Sequence, residues 1–161
     1  MWLRTASRGD IAAIHRLLVE TWHAAYDDVL GREAVNQLTA QWHSADRVGQ
    51  YLTQPLSEYV VADDGKAICG VAYAVQCGDT VFLHQLYVRP EQQNQGIGKQ
   101  LLAEIEGCFP AARHIRLNVF EKNRRAIHFY ERCGCKIVGT PVQLAEFPAI
   151  REIMMEKSLP D

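Results

Sequence analysis

The 161-residue sequence has no apolar stretch close to the roughly 18 residues that indicate a membrane-spanning helix, and its first residues lack the apolar segment of a secretion signal. It also lacks an excess of charge of one sign, because 17 Lys and Arg oppose 19 Asp and Glu, for a formal net charge of −2. Without a basic excess, neither nucleic acid nor an anionic membrane is expected as a partner. The composition therefore excludes membrane-spanning and histone-like proteins.

The cysteines and histidines lack the spacings of disulfide frameworks and metal sites. The five cysteines are odd in number and form no C-x-x-C motif, so no disulfide framework is expected and a reducing cytoplasm is the predicted compartment. The six histidines contain no pair at the i,i+4 spacing of helical metal ligands. No metal site is therefore predicted.

The sequence does contain the alternating helix and strand patterns of one α/β domain over residues 1–161, with a mixed sheet. Residues 2–6 predict a first strand, followed by helices over about residues 8–25 and from Arg32 to Trp42, and by a weaker helical stretch from Ala45 to Leu52. About seven strands and about four helices are expected, in the order β-α-α-β-β-β-α-β-α-β-β. The other predicted strands are 59–62, 67–75 with a break at Gly70, 81–88, 114–120, 135–139 and 150–156, and the other helices begin at Gly96 and Asn123.

The most informative stretch is the turn Gln93-Asn94-Gln95-Gly96-Ile97-Gly98, which follows a strand and opens a helix. Its glycines indicate a backbone that approaches a ligand closely, and the free amides of a helix start favour an anion such as pyrophosphate. Lys99 could add a positive charge. Leu101 stands where a Rossmann motif needs its third glycine, and the Walker A pattern fails at Gln93 and Gln100. A turn that only packs a helix on the sheet is the alternative.

A second segment, from Asn123 to Gly134, also follows a strand. Together with Leu86-Tyr87-Val88-Arg89-Pro90 and Gln93-x-x-Gly96-x-Gly98, it resembles the GNAT superfamily of acetyl-CoA-dependent N-acyltransferases. The family patterns are Val-x-Pro, then Gln/Arg-x-x-Gly-x-Gly/Ala, and later Asn-x-x-Ala-x-x-Phe-Tyr-x-x-x-Gly-Phe. The resemblance is specific over residues 80–137, and the order of elements extends it weakly to the whole chain. It implies a GNAT-like fold and a single N-acetyltransferase domain.

The resemblance implies acetyl-CoA as co-substrate and gives roles to the matched residues. Backbone amides from Gln93 to Gly98 would bind the pyrophosphate, and backbone groups of Leu86 and Val88 would pair with the pantetheine arm, with one amide polarising the thioester carbonyl. Asn123 would contact pantetheine or an ordered water, and the central strand would splay from the strand at His114 to admit the arm. The residues expected to bind the cofactor are Leu86, Tyr87, Val88, Gln93, Asn94, Gln95, Gly96, Ile97, Gly98, Lys99, Asn123, Arg125, Ala126, Phe129 and Tyr130.

The same resemblance makes Tyr130 the acid that protonates the departing thiolate, but it does not supply a base. Many members carry a Glu on the central strand where this chain has Phe82, and some protein-modifying members carry one on the next strand, where this chain has Asn118. His84 shares the strand parity of Phe82, so it is expected on the same side, and its ordinary pKa range suits proton removal. The alternative is a structural histidine whose hydrogen bonds are made within the sheet. Asn94 also departs from the family, which usually has Gly there.

The acceptor site is expected at the end of the first helix, which borders that site in the family. Acidic residues there, Glu20, Asp27 and Asp28, would attract a cationic amine, although a solvated helix end is the alternative. The last irregular connection, with Glu146 and Phe147, also faces the acceptor in the family. The residues expected to bind the acceptor are Trp22, His23, Tyr26, Phe82, Asn118 and Phe147.

The sequence therefore predicts an enzyme that transfers acetyl from acetyl-CoA to a primary amine by direct attack, with both substrates bound together. A small cationic amine is slightly favoured over a protein amine as acceptor. The alternative is a non-catalytic acyl-CoA sensor or regulatory module of the same fold. It is favoured by the missing carboxylate at Phe82 and disfavoured by the intact Tyr130 and Asn123. Many relatives dimerise through their C-terminal strands, so a homodimer is left open.

Overall fold

The computed structural model describes residues 1–160, and seven strands within them form one sheet. In chain order the strands are β1 (Trp2–Thr5), β2 (Ser57–Asp63), β3 (Ile68–Cys77), β4 (Thr80–Val88), β5 (His114–Phe120), β6 (Lys136–Gln143) and β7 (Arg151–Ser158). Their order across the sheet is β1-β2-β3-β4-β5-β7-β6. Of the strand pairs within residues 1–160, only β4 and β5 run in parallel. The predicted mixed sheet of seven strands is confirmed.

The α-helices of the described residues are α1 (Ile11–Leu30), α2 (Arg32–Trp42), α3 (Ala45–Leu52), α4 (Ile97–Cys108) and α5 (Arg124–Arg132). The stretch predicted as weakly helical is the full helix α3, because the Ser44 hydroxyl accepts a hydrogen bond from the Arg47 amide at its start and Val48 is fully buried. The first helix continues to Leu30 rather than ending at residue 25. Within the described residues, no helix is long and apolar enough to cross a membrane.

The helices cover both faces of the sheet, and each face has its own apolar core. Helix α4 and the buried side of α5 pack on one side, which we call the α4 face, while α1 and α3 pack on the other, the α1 face. Fully buried residues of the α4 face are Leu101, Ile105, Ile115 and Met155. Fully buried residues of the α1 face are Ile14, Leu18, Val48 and Val61.

Two expectations about strand interruptions are wrong. Gly70 does not break β3, since the strand runs through it and the glycine instead lets α4 approach. A Cβ atom at this position would lie 2.9 Å from Leu101 Cδ1 and 3.1 Å from the Tyr87 carbonyl oxygen. The strand predicted over residues 135–139 does not end at residue 139 either. It is β6, an edge strand that continues through Pro141 to Gln143, and a register shift before Val142 tolerates the proline.

A β-bulge lies in the centre of the sheet, at His84. The pairing of β3 with β4 moves from Ala74–Leu83 to Tyr73–Gln85, so His84 is an extra residue in β4. An extra residue reverses the alternation of side chains in the rest of its strand. Odd-numbered residues before the bulge and even-numbered residues after it therefore face α4. The β4 residues that pack in the α4-face core are Val81, Leu83, Leu86 and Val88.

The bulge also marks the point where β4 and β5 separate. Their parallel pairing runs from Thr80–His114 to Leu83–Leu117 and goes no further within the described residues. Beyond it, each strand keeps its outer partner, β3 for β4 and β7 for β5. The predicted splay between the central strand and the strand from His114 is thus confirmed, and it opens the middle of the sheet.

Candidate active site

A cleft of about 1020 Å³ lies at this splay, with walls from α1, β4, β5, α5 and the turn before α4. It joins the α1 face to the α4 face through the gap between the separated strands. Most of the residues predicted to form the site are brought together in its lining. They are Trp22, Tyr26, His84, Leu86, Tyr87, Val88, Gln93, Asn94, Gly96, Ile97, Gly98, Lys99, Asn118, Asn123, Arg125, Ala126, Phe129 and Tyr130.

Four predicted residues do not line the cleft. They are His23, Phe82, Gln95 and Phe147. His23 Nδ1 lies 2.6 Å from Asp27 Oδ1 one helical turn away, so this pair forms outside the cleft. Phe82 precedes the separation of the strands and still pairs with Arg116 of β5, where there is no gap to line. Phe147 packs at the back of the cluster that contains Trp22.

The turn before α4 presents a row of unused amides. Asn94 has φ +65° and Gly96 has φ +82°, the left-handed conformation that favours glycine and tolerates asparagine. The backbone N–H groups from Asn94 to Lys99 have no backbone acceptor in residues 1–160. The Gln93 side chain fixes the turn by donating from Nε2 to the Val88 carbonyl, at 3.0 Å. This geometry, at the positive end of a 12-residue helix, fits an anion, and asparagine in place of the usual glycine preserves it.

Gly98 has a different role from Gly96. A Cβ atom at position 98 would lie 3.2 Å from Phe129 Cζ and 3.7 Å from Val88 Cγ2, whereas one at Gly96 would meet nothing within 4 Å. The second glycine is thus needed for close packing of α4 against α5. The alternative role, in which the turn only packs the helix, therefore describes Gly98. Gly96 instead sets the backbone conformation that presents the amides.

Asn123 links the two sides of the cleft. Its Oδ1 accepts from the Ala126 amide at 3.1 Å, which caps α5, and its Nδ2 donates to the Tyr26 hydroxyl of α1 at 2.8 Å. Both ends of the side chain are therefore held by protein groups, with one Nδ2 hydrogen left over. The predicted role was ligand contact, and the structure adds this bridge between α1 and α5.

Tyr130 lies inside the cleft with 9% of its surface exposed. Burial, followed by the neighbouring Tyr87, raises the pKa of its phenol well above the ordinary value. No group in residues 1–160 hydrogen-bonds its hydroxyl. Tyr130 is therefore fully protonated at neutral pH and free to donate its proton to a group in the cleft.

His84 projects to the α1 face from the bulge, as expected from its parity. Its ring centroid lies 5.9 Å from that of Tyr73, a buried residue of the α1-face core. Partial desolvation lowers the pKa of His84 from its ordinary value. The imidazole is therefore neutral at neutral pH and can accept a proton in the cleft.

The acidic residue in the cleft is one that the sequence analysis missed. Glu20, Asp27 and Asp28 do not line it, whereas Glu152 of β7 does. Glu152 lies opposite Phe120 in the β5–β7 register and is half-buried, and this burial raises the pKa of its carboxyl group. Ile153 and Met155, which follow it in β7, are both buried. A carboxylate beside these buried residues in an interior strand was the only signal in the sequence that Glu152 could be functional.

Aromatic rings line the α1 side of the cleft around Trp22. The Trp22 ring centroid lies 4.7 Å from that of Tyr26, 5.6 Å from Phe120, 5.8 Å from Trp42 and 5.2 Å from His43. His43 and Trp42 were also missed, since the sequence predicts where α2 ends but not that this end lies at the cleft. His43 is 5% exposed, and burial lowers its pKa to about 4, so it is neutral. The wall therefore carries aromatic faces but no positive charge of its own.

All five cysteine thiols are free, and Cys133 lines the cleft. Burial raises the pKa of the Cys133 thiol, so it is held in the unreactive thiol form. Cys135 is buried in the α4-face core. No group of three or more His, Cys, Asp or Glu side chains in residues 1–160 is arranged to hold a metal ion.

Comparison with known proteins places this cleft in a family. The model of the acetyltransferase (GNAT) family matches residues 11–135. The chain is similar to the thialysine N-epsilon-acetyltransferase of Bos taurus, at 26% identity over 153 residues and 83% of each chain. It is also similar to the peptidyl-lysine N-acetyltransferase YiaC of Escherichia coli, at 34% identity over 80 residues and 50% of each chain.

Among solved structures, the fold is similar to that of the PaiA N-acetyltransferase of Thermoplasma acidophilum, crystallised in complex with coenzyme A. The TM-score is 0.89 and the alignment covers 98% of both chains, at 21% sequence identity. The likeness at this identity concerns the fold, while the family match spans both motifs of the cleft. The chain therefore belongs to the acetyltransferase (GNAT) family and is an acyltransferase.

Proposed function

We propose that this chain, as a single N-acetyltransferase domain over residues 1–161, transfers acetyl from acetyl-CoA to a small cationic primary amine by direct attack. The observation that carries the proposal is the continuous cleft, which joins the free amides of the turn before α4 to the protonated Tyr130 through the gap between β4 and β5. The thialysine acetyltransferase and the coenzyme A complex among the relatives support the same activity.

The residues at the turn fit the phosphate end of coenzyme A. Six successive amides from Asn94 to Lys99 lack backbone acceptors in residues 1–160, and the cationic side chains of Lys99 and Arg125 also line the cleft. Amides at a helix start together with cationic side chains are what a pyrophosphate needs. From there, the separated edges of β4 and β5 give an extended arm a path toward Tyr130, with strand-like hydrogen bonds to backbone groups of Leu86 and Val88.

The chemistry assigned to the residues is one displacement. The nitrogen of the amine, in its neutral form, forms a bond to the thioester carbonyl carbon, the carbon–sulfur bond breaks, and the sulfur leaves as a thiolate. A backbone amide of β4 would stabilise the charge that develops on the carbonyl oxygen, and Tyr130 would give its proton to the sulfur. The proton lost by the amine goes to His84, which is neutral and lies in the same cleft.

Direct attack is favoured over an acetyl-cysteine intermediate. The only cysteine that lines the cleft within the described residues is Cys133, and its raised pKa keeps the thiolate population low at neutral pH. A sequential mechanism with both substrates bound is therefore expected, and trapping of a kinetically competent acetyl-cysteine would contradict it.

The test is thiol release from acetyl-CoA across a panel of primary amines, combined with calorimetric binding of acetyl-CoA and of ATP. The proposal expects binding of acetyl-CoA, weaker binding of ATP and amine-dependent thiol release. Tyr130→Phe should lower turnover while leaving acetyl-CoA affinity nearly unchanged, and an unchanged rate would remove the acid role. Binding without release for any amine would instead favour the non-catalytic sensor.

The role of His84 has its own test. If His84 is the base, the acidic limb of the pH–rate profile should be lost in His84→Ala, because this limb reports protonation of the base. A profile that keeps its acidic limb would assign proton removal to another group.

A further inference from the structure

A carboxylate without a cationic partner lies in the cleft. Glu152 is half-buried and forms no ion pair or hydrogen bond with a group in residues 1–160, although it lines the cleft. Most other partly buried carboxylates of this chain are paired, for example Asp10 with Arg4 and Glu106 with Lys157. A carboxylate withdrawn from water without a counter-charge costs free energy, so a cation in the cleft would stabilise it.

The surroundings of Glu152 suit an organic cation. Glu152 is directly opposite Phe120 across the β5–β7 pair, so the two side chains leave the sheet on the same face. The Phe120 ring centroid lies 5.0 Å from that of Tyr26 and 5.6 Å from that of Trp22, and all three rings belong to one apolar cluster. Aromatic faces attract ammonium groups, and they do so more strongly in a desolvated site.

The ionisable neighbours named here are neutral or already paired. Burial raises the pKa of the phenols of Tyr26 in α1 and Tyr87 in β4, and the nearby charge of Glu152 adds to this effect, so both are neutral at neutral pH. His43, at the end of α2, is kept neutral by burial. The neighbouring Arg151 is already paired with Glu121. Among the described residues, Glu152 is thus the only acidic residue that lines the cleft.

We propose that Glu152, with the rings of Trp22, Tyr26 and Phe120, forms the site that binds a positively charged ammonium group of the acceptor. The acceptor class is then alkylammonium compounds, in preference to neutral or acidic amines. The inference deepens the proposed function and rests on it. The acidic residues at the end of α1, which first suggested a cationic amine, are replaced in this role by a residue of β7.

The first test measures binding to the full chain without acetyl-CoA. The probes are n-butylammonium and the uncharged 1-butanol, which is similar in size, and the signal is the fluorescence of Trp22 and Trp42, which both line the cleft. Butylammonium should bind at least about tenfold more tightly than butanol, as expected for a contact to a charged group. Equal binding of the two probes would overturn the proposal.

Variants locate the preference at one residue. Glu152→Gln should weaken butylammonium binding by about tenfold or more and leave butanol binding unchanged, because it removes the charge and keeps the shape. Glu152→Asp, which keeps the charge, should retain a preference for the cation. Glu104→Gln is the matched control, since Glu104 is exposed on α4 and forms no ion pair in residues 1–160. A preference that persists in Glu152→Gln would also overturn the proposal.

Acetyl transfer separates this inference from the function on which it rests. With an amine that the panel shows to be a substrate, Glu152→Gln should raise KM for the amine at least about tenfold and leave KM for acetyl-CoA unchanged. Transfer that is equally efficient in Glu152→Gln and Glu104→Gln would refute the ammonium site while leaving the enzyme intact. Absence of any transfer, with the butylammonium preference present, would refute the enzymatic proposal alone.

Discussion

The contact between α4 and β3 at Gly70 can be tested by adding one methyl group. In Gly70→Ala the new Cβ would lie 2.9 Å from Leu101 Cδ1, 3.1 Å from the Tyr87 carbonyl oxygen and 3.3 Å from Ile97 Cγ2. The carbonyl belongs to the backbone of β4, and Leu101 is fully buried, so neither can move aside freely. Overpacking of this kind costs about 1–3 kcal/mol, against a backbone gain of up to about 1 kcal/mol for replacing glycine. We expect a net loss of about 1–2 kcal/mol in the free energy of unfolding.

Urea denaturation measures this loss as a lower midpoint with an unchanged slope. Gly107→Ala is the matched control, because Gly107 lies in α4 and an added Cβ would meet nothing within 4 Å. It should raise stability by up to about 1 kcal/mol, the opposite sign. Since Ile97 begins α4, Gly70→Ala should also weaken acetyl-CoA binding. A Gly70→Ala chain as stable as the unmodified one, or a shift of both variants in the same direction, would refute the reasoning.

Three further outcomes follow from buried or constrained groups. The pKa of His43 is lowered from 6.5 to about 4, so the unfolded chain binds one more proton between these values, and the free energy of unfolding should fall by about 3 kcal/mol from pH 7 to pH 4. Urea titrations at each pH should show that His43→Leu lacks this part of the fall, and an equal fall would contradict the assignment. Asn94 has φ +65°, a conformation that glycine adopts freely and valine does not. Asn94→Gly should therefore keep the affinity for acetyl-CoA measured by calorimetry, while Asn94→Val should lower it about tenfold. Equal affinities of the two variants would contradict a role of this turn in binding acetyl-CoA. Tyr26→Phe removes the 2.8 Å bond from Asn123 and should lower stability by about 1 kcal/mol in thermal unfolding, where no change would show that the bridge is not stabilising.

The parts of the site that could be predicted from the sequence are those formed by neighbours along the chain. Gly96 and Asn94 fix the turn through their own backbone conformations, and Asn123 caps α5 through a residue three positions away. Such local geometry leaves a local pattern. The order of strands was readable for the same reason, since each strand is bounded by its own turn residues.

The parts that could not be predicted depend on pairings between distant segments. Glu152 enters the cleft because β7 inserts between β5 and β6, a register that nothing in residues 151–158 specifies alone. The bulge at His84 is visible only against β3, since one extra residue leaves no mark in the strand that contains it. Conversely, the acidic end of α1 looked functional, but Asp27 pairs within its own helix with His23.

The separation of β4 from β5 after the bulge at His84 limits the hydrogen bonding within this sheet. Within the described residues the two strands pair only from Thr80–His114 to Leu83–Leu117, so the sheet lacks the hydrogen bonds that pairing along their whole length would add. An internal seam of unused backbone groups is therefore kept open in the middle of the sheet, between β4 and β5. Because helices pack on both faces of the sheet, this seam lies within the domain and not along its outer edge. The sheet thus has the unpaired backbone hydrogen-bonding groups of an edge strand without the tendency of an exposed edge to aggregate.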